Sequence, residues 1–105
     1  MFKLVFIYSL KPKVDPDEAH RVWREKHTVW VKKNLLPGAR KYTINRVVHG
    51  FGPVDIYGYS MIWFEDMDSA VKAAERLRNA PPDEFLTKFV ETPKLVVVEE
   101  EKVEL

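Results

Sequence analysis

With 105 residues, 46% of them hydrophobic and 12% aromatic, the chain has room for one domain with a packed core, residues 1–105. A net charge of +1, from 17 basic and 16 acidic residues of interspersed sign, creates no field that draws nucleic acid or an anionic membrane. The lack of cysteine removes disulfides, thiolate catalysis and cysteine-ligated metals.

Glutamine is also absent, and Lys, Glu, Arg and Val are abundant, a bias expected of a thermophilic source. No run approaches the ~18 consecutive apolar residues of a membrane helix. The opening Met1-Phe2-Lys3-Leu4-Val5-Phe6-Ile7-Tyr8 has no small-residue cleavage site and reads as a first strand rather than a leader, so a cytoplasmic location is expected.

Phe2 to Leu10 is apolar in both registers, as in a strand covered on both faces. Asp15 is placed to cap a helix, with Pro16 at its first position and Glu18 three residues after the cap. That helix is predicted to run to about Leu36, where Pro37-Gly38 stops it. It is roughly 30 Å long at ~1.5 Å per residue. Ala19, Trp23, His27 and Trp30 recur at helical spacing on its inward face, which sets His27 between two indoles. Arg40 to His49 is predicted as a second strand, followed by a loop at Gly50-Phe51-Gly52-Pro53. Tyr57 to Glu65 is a third, with Tyr57, Tyr59, Met61 and Trp63 on one face and Ser60, Ile62 and Phe64 on the other. Asp66 or Asp68 caps a second helix to about Asn79, ended by Ala80-Pro81-Pro82. Asp83 to Val90 is read as a short helix and Lys94 to about Lys102 as the last strand.

The order strand, helix, strand, strand, helix, strand is the split βαβ, or ferredoxin-like, α+β pattern. It implies a four-stranded antiparallel sheet with both helices on one face. The other face is apolar and needs a cover. A second copy of the sheet, related by a two-fold axis, is the simplest.

Four features resemble a known family: Trp23-Arg24-Glu25-Lys26-His27, Lys11-Pro12 before it, Leu36-Pro37-Gly38 after it, and the strand Tyr42-Thr43-Ile44-Asn45-Arg46. The chain is similar to the EthD-like branch of the dimeric α+β barrel superfamily. The resemblance implies a homodimer through facing sheets and a pocket between sheet and helices. Members of the wider superfamily include polyketide cyclases, aromatic lactone isomerases, small monooxygenases and decarboxylase or dehydratase-like proteins acting on aromatic polyketides. By the same resemblance His27, Trp23, Tyr42 and Asn45 fall at site positions. Many members carry a proline two residues after the histidine; here His27-Thr28-Val29 leaves the helix unbroken.

On this reading His27 and Asn45 are the candidate catalytic residues. Trp23, Trp30, Tyr42, Tyr59 and Trp63 are the candidate substrate-binding residues. Desolvation favours a neutral imidazole unless an acid pairs with it, and a neutral imidazole can accept a proton. The same pattern also describes a core histidine bonded to a strand carbonyl. His20 is about 10 Å from His27 along the helix, too far to share a metal, and no histidine or carboxylate pair has metal spacing. No metal or cofactor is expected. The expected function is a small cofactor-independent enzyme that binds a compact aromatic or oxo-acid molecule and moves a proton. The alternative is a non-catalytic binding module with the same pocket.

Overall fold

A computed structural model describes residues 1–35 and 37–105. Four strands form one antiparallel sheet: β1 (Phe2–Tyr8), β2 (Ala39–Arg46), β3 (Gly58–Phe64) and β4 (Lys94–Glu99), in the spatial order β2-β3-β1-β4. The expected ferredoxin-like topology is present. Each pairing is antiparallel, so the register settles which residues share a face: Leu4 opposes Ile62 and Val97, and Phe6 opposes Ser60 and Leu95. Tyr42 opposes Ile62, and Asn45 opposes Tyr59.

The helix expected over 16 to 36 is present but not uniform. It comprises α1 (Pro16–Val22), a π-helical turn (Trp23–His27) and α2 (Thr28–Asn34). Asp15 caps it, its carboxylate accepting from the Asp17 amide, with Pro16 in the first turn. The Thr28 hydroxyl donates to the Arg24 carbonyl at 2.7 Å, a back-bond that competes with the regular ladder beside the widened turn. The expected end at Leu36 lies outside the described residues. α3 (Met67–Asn79) begins at Asp66, whose carboxylate accepts from the Ser69 amide at 2.7 Å.

The other boundaries are shorter than expected. The first strand stops at Tyr8, and Leu10 keeps only an isolated bridge to Val90. The second ends at Arg46 and the fourth at Glu99. The short helix of residues 83–90 is a single π-helical turn, Phe85–Phe89.

Helices and sheet bury two apolar clusters. One joins Leu4, Ile62 and Phe64 to Val31, Ala70, Ala73 and Leu77. The other joins Tyr8, Val22, Trp23, Phe85 and Val90. Phe6 packs against both. The opposite sheet face carries Val5, Ile7, Tyr59, Met61, Trp63, Val96 and Val98, the strand positions that alternate with the buried ones. No helix among the described residues is long and apolar enough to cross a membrane.

Gly58 is where helix and sheet approach most closely. A Cβ there would fall 2.7 Å from the Trp23 ring and 2.5 Å from the Asn45 carbonyl oxygen. Neither neighbour is a free side-chain end, since Trp23 is fully buried and the other atom is backbone. Gly58→Ala is therefore expected to destabilise the fold by about 1–3 kcal/mol, as overpacked cores do. Urea unfolding followed by tryptophan fluorescence checks this.

Candidate active site

His27 closes the π-helical turn and is 1% exposed. An imidazole can be buried only if its ring nitrogens find partners. Nδ1 lies 2.7 Å from Oδ2 of Asp83, and Nε2 lies 3.3 Å from the Tyr8 hydroxyl. A carboxylate only accepts, so Nδ1 carries a proton and donates it to Asp83. In the neutral ring Nε2 is then the acceptor, and the Tyr8 O–H donates to it. The hydroxyl of Ser60, on β3, stands 3.5 Å from the Tyr8 oxygen. Burial raises the Tyr8 pKa far above the usual phenol range, against the opposing contact with Ser60, so the hydroxyl keeps its proton.

Asp83 is held from its other side. Its Oδ1 accepts from the Leu86 amide at 3.1 Å, and its carbonyl accepts from the Thr87 amide at 3.1 Å. Asp83 thus caps the turn Phe85–Phe89 while facing His27. The strand connection leading to it is tied to α2, because the Trp30 indole N–H donates to the Pro81 carbonyl at 2.9 Å.

A cavity of about 390 Å³ opens where the two core clusters meet. His27 and Tyr8 line it together with Trp30, Phe6, Leu86 and Leu95. It is of a size for a small organic molecule, with apolar walls and few polar groups.

The residues singled out from sequence separate into two faces of the sheet. His27 and Trp30 line the cavity, their rings stacked at 5.3 Å and 18°. Trp23 does not line it. Trp23 stacks on Phe85 at 5.7 Å, and it is Phe85, 4.7 Å from the His27 ring, that stands where a second indole was expected. Both residues belong to the π-helical turn, Trp23 opening it and His27 closing it, and each ring packs against Phe85. Tyr42 points to the helix side and packs against the core without lining the cavity. Its buried hydroxyl has no partner among the described residues, and its pKa is raised by burial first and by the Asp83 charge second.

Asn45, Tyr59 and Trp63 lie on the sheet face away from the helices, not with His27. Asn45 and Tyr42 are three apart on a strand, and a period of two sends them to opposite faces. The Asn45 amide donates to the Thr43 hydroxyl and the Tyr59 carbonyl, each at 3.2 Å. Trp63 lies beneath the ammonium groups of Lys3 and Lys41, 5.2 and 4.7 Å from its ring. His20 packs edge-on to Trp23 at 6.2 Å, and burial, aided by Arg46, lowers its pKa.

Two residues of the His27 constellation were not singled out as site residues from sequence. Asp83 is 56 residues from His27, with no spacing rule between them. Tyr8 carried a usable signal, since a tyrosine on the buried parity of a strand needs a polar partner.

A ferredoxin-like sheet with a helix-borne histidine facing a cavity defines an α+β small-domain architecture. The model of the EthD domain matches residues 11–93, and the chain belongs to that family. Among solved structures, an ethyl tert-butyl ether D (EthD) family protein from Bacillus halodurans shares 19% identity over 96% of this chain and 99% of its own, with a TM-score of 0.65. An EthD-like protein from Ralstonia eutropha shares 17% identity over 93% of this chain and 89% of its own, at 0.65. HapK from Hahella chejuensis shares 13% identity over 100% and 97%, at 0.62. At these identities the likeness is one of fold. No curated protein matches the chain.

The raised pKa of Tyr8 sets a pH dependence. The unfolded chain ionises this phenol near pH 10 while the folded chain keeps it neutral, so its stabilising contribution is complete below pH 10 and falls as pH rises beyond it. The loss is about 1.4 kcal/mol per pH unit for one such group. Tyr8→Phe is expected to remove that increment from the alkaline slope. Chemical denaturation of both proteins between pH 9 and 11.5 measures it.

Proposed function

We propose that the protein is a small cofactor-independent enzyme, folded as one domain, that binds a compact aromatic or oxo-acid molecule and transfers a proton. The observation that carries this is a buried acid–imidazole–phenol series at the wall of an apolar cavity: Asp83 on Nδ1 of His27, and Tyr8 on Nε2. Asp83 fixes the tautomer and stabilises the imidazolium that forms when Nε2 takes a proton. The Tyr8 O–H, kept neutral by burial, is placed to donate to an oxygen that gains charge as the proton leaves. In this proposal Tyr8, rather than the sequence candidate Asn45, works beside His27. Isomerisation, cyclisation, dehydration and decarboxylation all fit such a pair.

Turnover of a panel of phenolic and keto-acid compounds tests the reading. His27→Gln is expected to lower the rate by about 10²–10⁴-fold, the usual share of a general base. Asp83→Asn is expected to lower it as well while leaving ligand binding in place. Binding without turnover by the unaltered protein would favour the alternative, a binding module in which His27 only orients the ligand. Equal turnover by His27→Gln would remove the assignment.

The apolar face formed by Val5, Met61, Val96 and their neighbours is the basis for a second element of the proposal, a homodimer with the two sheets face to face. Sedimentation at micromolar concentration is expected to give twice the chain mass, and a monomer would overturn it. The proposed setting is the cytoplasm of a thermophilic source, on composition alone.

A further inference from the structure

The polar side chains that line the cavity fall into a buried set and an exposed set, and only the buried one belongs to the acid–imidazole–phenol series. His27 and Tyr8 are at most 1% exposed and form its floor. Arg78, Thr87 and Thr92 also line it and are exposed; the Thr87 hydroxyl donates to the Asp83 carbonyl, while Arg78 and Thr92 border the adjoining surface groove as well, which places them at the rim. The wall between is apolar, built by Phe6, Val31, Leu77 and Leu95.

Arg78 is the one Lys or Arg side chain that lines the cavity among the described residues, and no Asp or Glu lines it. Arg78 sits in the last turn of α3 and forms no ion pair within 4.0 Å among the described residues. By contrast Arg76, two residues earlier, donates its Nε to the Asn34 carbonyl at 3.0 Å. The acidic residue closest to Arg78 in sequence, Glu75 one turn back, borders the adjoining groove rather than the cavity. A guanidinium with open donors at the mouth of an apolar cleft matches a planar anion in two-point contact.

We infer that the cavity takes a compact apolar monocarboxylic acid, its carboxylate held at the rim by Arg78 and Thr92 and its far end presented to His27 and Tyr8. This rests on the proposed use of the cavity and adds the ligand's charge, its orientation and the residue that selects it. Arg78 is a specificity residue in this arrangement. The carboxylate does not touch the imidazole, so a C–H or hydroxyl at the opposite end of the ligand meets Nε2 by taking the place of the Tyr8 hydroxyl there. Two anions are thereby kept apart, the ligand's at the rim and Asp83 behind the imidazole.

Calorimetric titration of the full chain with phenylacetate and with phenylacetamide tests the inference. The two probes share a ring and differ in charge. Phenylacetate is expected to bind at least tenfold more tightly than the amide, and to weaken as salt is raised from 20 to about 300 mM, since a rim ion pair is screened. Arg78→Gln is expected to abolish that preference while leaving amide binding as it was. Lys72→Gln, which alters an exposed lysine 3.5 Å from Asp68, is expected to keep the preference. Equal binding of the two probes, or a preference that survives Arg78→Gln, overturns the inference and leaves the proposed use of the cavity standing. Binding of neither probe also overturns the inference, while the turnover panel decides the proposed use of the cavity separately.

Discussion

The 2.7 Å contact between His27 and Asp83 ties together the parts of this protein that matter most. A buried imidazole without partners costs several kcal/mol in a medium that cannot solvate it. Here the two partners come from elements separate from the helix that carries His27: Asp83 from ahead of the turn Phe85–Phe89 and Tyr8 from the end of β1. The stacked Trp30 and tilted Phe85 rings exclude water around the ring. The contact therefore requires the connection after α3 to fold back over the helix, and the cavity exists because it does.

The sheet divides the molecule's tasks by parity. Even-numbered residues of β1 and β3 face the helices and furnish the core, Ser60 and Tyr8. Odd-numbered residues of those strands face away and form an apolar surface that runs through Val5, Met61 and Trp63. A one-residue slip would exchange the two sets, so the register sets both the site and the second surface. Gly58 marks how little space remains on the helix side, since Trp23 occupies the volume that any side chain there would need.

Much of the fold was legible in the chain. The Asp15-Pro16 start, the Asp66 cap, the alternation in β3 and the order of six elements follow from local physics, because capping and strand parity act within a few residues. The inward placement of His27 and Trp30 was legible for the same reason. Less of the site was. Asn45, Tyr59 and Trp63 carry suitable chemistry, but parity alone does not say which face of an apolar sheet meets the helices. Trp23 was set beside His27 by helical spacing, but its ring stacks on Phe85, a residue that spacing along the helix could not bring in.

The sequence by itself determined the element order, the capped helix that carries a histidine on its apolar face, and the composition that excludes cysteine chemistry. These are consequences of local periodicity and residue chemistry. The tertiary structure decided which face of the sheet is buried, that Asp83 and Tyr8 are the imidazole's partners, and that Arg78 stands at the cavity rim. Those facts depend on contacts between residues tens of positions apart, and only packing in three dimensions brings such residues within hydrogen-bond distance.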